Sequence, residues 1–185
     1  MDYKRYDLAR VLVTGDSGNI GKVICSILKK HRVNFKKLSY FRRNKKFFLE
    51  NSKLVYKLSN IIKPSLVIHT AIDNKSKPNL YINIMMMKNL IKYFKCPIIY
   101  ISSVAVYSGL DKSYLCEKIN KYKLDTKYSL VKKKCEDTLL SRKFEKDLCI
   151  RMPGLFSNNR KDGIIFHLIN KFRKKDYKMN FFNLD

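Results

Sequence analysis

Val11-Leu12-Val13-Thr14-Gly15-Asp16-Ser17-Gly18-Asn19-Ile20-Gly21 decides how the rest of the chain is read. Its apolar opening, Val11 to Val13, has the character of a buried parallel strand and runs straight into three glycines. Each spacing has a use. Gly15 permits a tight turn off the strand, Gly18 lets a pyrophosphate approach the backbone, and Gly21 lets the next helix pack close to the sheet. Ile20, Val23, Ile24, Ile27 and Leu28 then recur at helical spacing. The first N–H groups of a helix starting there point at a bound phosphate. The stretch reads as a dinucleotide site built from Gly15, Ser17, Gly18, Asn19, Ile20 and Gly21. On these residues alone, a glycine-rich turn with no ligand is the alternative.

The chain of 185 residues is long enough to bury a full core. Its 40 Lys and Arg against 15 Asp and Glu give a net charge of +25, a balance that raises nucleic acid or an anionic membrane as partner. The lysines are spread along the whole length and form no arm, patch or aromatic-interleaved motif. No specific nucleic-acid binding is therefore expected, although an anionic substrate or cofactor would be attracted. Cys25, Cys96, Cys116, Cys135 and Cys149 are odd in number and widely separated, with no paired spacing, so they read as reduced thiols rather than a disulfide frame or a metal site. The N-terminus lacks the apolar region of a signal peptide, and no run approaches the roughly 18 apolar residues of a membrane span. A soluble, cytoplasmic protein is expected.

Beyond the first helix, a second strand is expected around residues 37–41. The residues after it meet the adenosine ribose in a dinucleotide fold, where an acid suits a 2′-hydroxyl and an arginine suits a 2′-phosphate. Arg42 and Arg43 stand there, with no acid between Asp16 and Glu50, which favours NADP with NAD as the alternative. A short third strand at 47–49 is weakly marked. A helix starts near Ser52 and stops before Pro64. A buried strand follows at 65–71, then a helix over 80–94, whose three methionines, Met85 to Met87, read as core filling. Residues 97–103 are apolar until Ser102-Ser103. Strands alternating with helices specify an α/β fold, a doubly wound parallel sheet of Rossmann type, with ligands at the carboxyl ends of the strands. His69-Thr70 and Ser102-Ser103 fall at that edge.

Residues 126–141 form the next helix. Tyr128, Val131, Lys132, Cys135 and Leu139 share one face, so Lys132 points inward while Lys133 and Lys134 turn out. An inward Lys one turn after an inward Tyr can hold a ribose and favour the phenolate, giving a usable general acid/base. A snorkelling lysine beside a core tyrosine is the equal alternative on these residues alone.

Taken together, Thr14-Gly15-x-x-Gly18-x-x-Gly21, Ser102-Ser103-Val104-Ala105-Val106-Tyr107 and Tyr128-x-x-x-Lys132 resemble the extended short-chain dehydrogenase/reductase family, which includes nucleotide-sugar epimerases, dehydratases and reductases. Ala71 at the end of the fourth strand, Asn83 in the next helix, Glu136 after the Tyr-Lys pair and Arg151-Met152-Pro153 following the sixth strand add supporting matches, and the resemblance covers about residues 10–156. It implies that Ser103 hydrogen-bonds the reacting oxygen, that Tyr128 is the acid/base, that Lys132 binds the ribose, and that Thr70, Ala71 and Pro153 lie along the cofactor. Val104-Ala105 stand where the dehydratases carry an Asp-Glu pair, so epimerase or reductase chemistry fits better. Ile62-Lys63-Pro64-Ser65-Leu66-Val67-Ile68-His69-Thr70-Ala71 looks like the deoxysugar-nucleotide 4-keto reductases. A homodimer through the helices at 80–94 and 126–141 is also implied.

Two departures bear on this reading. The acid that resembles an adenine contact is missing at Phe48, with only Glu50 near it. The chain ends at Asp185, after a helix expected near 164–172 and a strand at 178–182, so that residues 1–156 would form the NAD(P)-binding domain and 157–185 only the start of a truncated C-terminal substrate lobe. A catalytically silent NADP(H)-binding protein acting through protein partners is the alternative to an enzyme of nucleotide-linked sugars in polysaccharide synthesis.

Overall fold

The apolar run after Arg10 is strand β1, Val11–Thr14, buried at all four positions. The computed structural model of the chain describes residues 10–41, 49–73, 77–108, 122–154 and position 170. Helix α1 (Asn19–Lys30) leads to β2 (Phe35–Lys37) and a 3-10 turn, Leu38–Phe41. There follow α2 (Ser52–Ile62), β3 (Leu66–His69), α3 (Leu80–Tyr93), β4 (Ile98–Ser103), a second 3-10 turn (Val104–Tyr107), α4 (Lys127–Leu140) and β5 (Leu148–Met152). The helix starts follow from short polar side chains. Asn51, Asn79 and Thr126 each accept a hydrogen bond from a backbone N–H of the first turn of α2, α3 and α4. The α2 helix stops at Lys63, in the left-handed region at φ 44°, just before Pro64.

The five strands make one sheet in the order β2-β1-β3-β4-β5, and every pairing is parallel. From β1, the strand next to the edge, the chain steps out to β2, then crosses back to β3 on the other side of β1. That reversal opens a crevice at the carboxyl ends of β1 and β3. Strand alternation divides the core into two layers. Leu12 and Val67 join Val55, Leu58, Met86, Met87, Leu90, Phe94, Val131 and Leu139 on the face covered by α2, α3 and α4. Val11, Val13, Ile68 and Ile101 pack with Cys25, Ile20 and Ile24 under α1. Met86 and Met87 are fully buried, as expected of core filling.

Two elements differ from the expectation. The second strand is Phe35–Lys37 and not 37–41, because β2 is an edge strand whose middle residue, Lys36, is exposed. An edge strand does not have to be apolar on both faces, so its sequence carries a weak signal. Arg151 and Met152 belong to β5 itself, pairing with Ser102 and Ser103, and do not follow the strand. Of the strand expected at 47–49 only Leu49 is described, in a turn and buried. The helix and strand expected near 164–172 and 178–182 fall outside the described residues apart from position 170. The chain divides into one unit of Met1–Pro153 and a second of Gly154–Asp185. Among the described residues no helix is long and apolar enough to cross a membrane.

Two glycines are required by the turn after β1. Gly15 sits at φ +71°, and a Cβ there would lie 2.5 Å from the Ala71 nitrogen. At Gly21 a Cβ would overlap the Gly15 carbonyl oxygen and stand 2.7 Å from the Asp16 Cα, both backbone. Gly21→Ala is expected to cost about 1–3 kcal/mol through this overpacking. It would be read as a lower urea midpoint with the slope unchanged; a wild-type midpoint would show that helix and turn can separate without penalty.

Candidate active site

The crevice at the carboxyl edge gathers Gly15, Ser17, Gly18, Thr70 and Ala71, five of the residues expected to line a cofactor, and adds Asp16, Leu38, Ser39, Leu49 and Ile72. Its geometry starts from the glycine turn. The Gly18 N–H donates to the Gly15 carbonyl at 2.9 Å, closing the loop, and Asn19, Ile20 and Gly21 form the first turn of α1. Gly18 is the residue before that helix and has no side chain to cap it, and no acid stands in the first turn. Helices α2, α3 and α4 are side-chain capped. The open N–H groups of α1 therefore suit an anion, phosphate above all. On the opposite wall, the Thr70 hydroxyl donates to the Thr14 carbonyl at 2.7 Å, fixing the end of β3 against β1. Leu38, Leu49 and Ile72 supply an apolar flank.

Asp16 and Ser39 were not singled out by the sequence. Asp16 is 7% exposed, and its carboxylate accepts hydrogen bonds from the Ser39 N–H at 3.1 Å and from the Ser39 hydroxyl. This contact spans 23 positions and joins the glycine turn to the segment after β2. The signal available was only an acid inside the glycine run. Arg42 and Arg43 lie outside the described residues, as does Phe48.

The second group stands at the carboxyl half of β4. Lys132 is 4% exposed although it carries an ammonium. Its Nζ donates to the Ile101 carbonyl at 2.7 Å and lies 4.8 Å from the Tyr100 ring centre and 5.8 Å from that of Tyr128. Burial pulls the pKa of this lysine down to about 8, against the opposing influence of Cys135 and Glu136. The inward lysine is therefore seated in the protein and does not snorkel. Tyr128 is half-buried one turn earlier on α4. Ser103, two residues beyond Ile101, ends β4, and its oxygen accepts from the Ala105 N–H at 3.2 Å, a bond that does not consume the hydroxyl hydrogen. Pro153 is exposed immediately after β5.

Around this group the scaffold is polar but closed. Arg151 on β5 donates to both Glu136 oxygens, at 3.0 and 2.8 Å, and to the hydroxyls of Tyr107 and Tyr122 at 2.5 and 2.9 Å. This holds α4 to β5 and pins the segments on either side of the region between β4 and α4. His69 is not an exposed polar end. It is buried, bonded through Nδ1 to the Thr14 hydroxyl at 2.7 Å and stacked on Tyr100, and burial lowers its pKa to about 3, so it is neutral. The four described cysteines are free thiols, and no cluster of three or more metal-ligating side chains occurs among the described residues.

A parallel sheet with a glycine crevice at its switch point, and a Tyr-Lys pair at the next strand end, defines the class of dinucleotide-binding α/β proteins. Within it, the chain matches the model of the NAD-dependent epimerase/dehydratase family over residues 11–183 and belongs to that family. Among curated proteins no match is found. Similar solved structures include the Bordetella bronchiseptica enzyme WbmH in complex with NAD+, at 15% identity and TM-score 0.72, covering 90% of this chain and 63% of that one. RMD from Pseudomonas aeruginosa, complexed with NADPH, is similar at 21% identity and TM-score 0.71, covering 91% and 62%. A dTDP-4-dehydrorhamnose reductase, the RfbD ortholog of Clostridium acetobutylicum, is similar at 21% identity and TM-score 0.67, covering 89% and 60%. These likenesses show the fold, and the chain spans about three fifths of each of these proteins.

Proposed function

We propose that the chain binds a nicotinamide dinucleotide along the carboxyl edge of its sheet and acts on a nucleotide-linked sugar as an epimerase or reductase. The observation that carries this reading is the seat of Lys132, a buried ammonium held on the Ile101 carbonyl one turn from Tyr128 and two residues before Ser103. A purely structural lysine is almost never buried so far without an acidic partner, so its position is best explained by a function.

The turn residues fit the cofactor. Ser17, Asn19, Ile20 and Gly21 would offer backbone donors to a pyrophosphate, Gly15 and Gly18 let it approach the turn, Thr70 and Ala71 form the facing wall, and Pro153 follows β5. When bound, the dinucleotide supplies or takes the hydride. Tyr128 moves the proton on the reacting sugar oxygen, Ser103 holds that oxygen by a hydrogen bond, and Lys132 holds a ribose hydroxyl while its charge favours the phenolate. Val104-Ala105 offer no acid or base for eliminating water, which argues for epimerase or reductase chemistry over dehydration. The likeness to a dTDP-4-dehydrorhamnose reductase supports a 4-keto nucleotide sugar as the first substrate to try. The proposal includes a cytoplasmic homodimer built on α3 and α4, where Tyr81 and Leu140 are exposed.

The test is incubation of the 185-residue protein with NADH or NADPH and a 4-keto nucleotide sugar, with a parallel assay for epimerisation of a nucleotide sugar. Sustained nucleotide oxidation or epimerisation supports the reading. Dinucleotide binding with neither reaction would overturn it in favour of a silent binding protein.

A further inference from the structure

We infer that Asp16 selects the cofactor, taking the 2′-hydroxyl of the adenosine ribose and excluding a 2′-phosphate, so that the chain prefers NAD(H) to NADP(H). The inference rests on the dinucleotide reading of the crevice and adds a preference that Arg42 and Arg43 would reverse.

Position is the first argument. In a doubly wound sheet the adenosine ribose lies between the glycine turn and the residues just past the second strand. Asp16 is in that turn and Ser39 is two residues past β2, and the pair bridges the two segments at the wall of the crevice. No acid follows β2 in the sequence before Glu50, yet the fold brings a carboxylate to that place from another element.

The second argument is restraint. Asp16 is more than nine-tenths buried and is held through both oxygens by one residue, so it cannot swing out of the way of an incoming group. A carboxylate can accept about four hydrogen bonds. Ser39 uses two, which leaves acceptor capacity for ribose hydroxyls. A 2′-phosphate offers no hydrogen to that capacity at neutral pH and brings a like charge against a fixed, poorly hydrated anion. The net positive charge of the chain attracts the more highly charged NADPH more strongly than NADH, so a preference for NADH has to be imposed locally, by Asp16, against that background.

Fluorescence titration of the full chain with NADH and with NADPH, at one ionic strength near 0.15 M to hold screening constant, tests this. NADH should bind at least about tenfold more tightly, the ratio that 1.4 kcal/mol of repulsion produces. Asp16→Asn, which keeps an acceptor for Ser39 and removes the charge, should bring the ratio close to one, mainly by tightening NADPH. Ser39→Ala, which keeps the charge, should retain the preference for NADH. Equal or tighter binding of NADPH by the wild type overturns the assignment. So does an Asp16→Asn variant that weakens both nucleotides alike, the mark of a purely structural clasp. Binding of neither nucleotide by the folded wild type would remove the dinucleotide site itself, and the assignment with it.

Discussion

Tyr128→Phe is expected to lower turnover by about 10²- to 10⁴-fold, the usual contribution of a positioned acid/base, while leaving the affinity for the nicotinamide dinucleotide nearly unchanged. The substitution removes one oxygen. The ring that stands 5.8 Å from the Lys132 ammonium is kept, so the local packing of α4 against β4 should survive. The split between turnover and cofactor affinity is the informative quantity, because a tyrosine that merely packs would alter both or neither. Steady-state kinetics on a 4-keto nucleotide sugar, paired with a binding titration, measures it. A variant with full activity would sink the proton-transfer role of Tyr128.

The second large effect is a conflict between the proposed role of Lys132 and stability. Its pKa lies at about 8 in the folded protein and at 10.5 in an ordinary environment. Below pH 8 the lysine is charged whether the chain is folded or unfolded, and the cost of burying the charge is fully present. Above pH 8 the folded state releases its proton first, so the unfolded state binds more protons and stability rises with pH. The recoverable amount is up to roughly 3 kcal/mol, and the window to measure it is pH 8 to about 9.5. Lys132→Met replaces the ammonium with an apolar chain of similar length. It should unfold at a higher urea concentration than the wild type at pH 7, lose the rise between pH 8 and 9.5, and lose about 10²-fold in turnover. A wild type whose stability is flat across that window would show that Lys132 is not held as a strained charge. Around it stand His69, neutral, and Tyr100 and Cys135, whose raised pKa values keep them protonated there; Glu136 is tied to Arg151.

Much of this arrangement could be read from local chemistry. The glycine spacing, the start of α2 near Ser52, the stop before Pro64 and the inward register of Lys132 each depend on residues within a turn or two of one another. The parallel, doubly wound character of the sheet follows from strands alternating with helices. What could not be read depends on distant partners. The boundary of β2 is set by pairing Phe35 with Val11, which the exposed Lys36 obscures. The Asp16–Ser39 contact joins residues on two different elements, and nothing near Asp16 marks its partner. The polar His69 looked like part of the active edge, but its Thr14 and Tyr100 neighbours, far away along the chain, make it a core residue.

The pairing of β1 has a consequence in time. Val11 meets Phe35 on one side and Leu66 on the other, so during synthesis the first strand is completed only when a chain some 55 positions further on has left the ribosome. Until then its apolar residues and one row of backbone amides have no lasting home, the situation in which chains stick to one another. The same non-local closure makes folding slower than local helix formation. The excess of lysine, which serves no recognisable ligand along most of the sequence, then acquires a use. Self-repulsion among highly cationic nascent chains keeps those open edges apart while the rest of the sheet is being made.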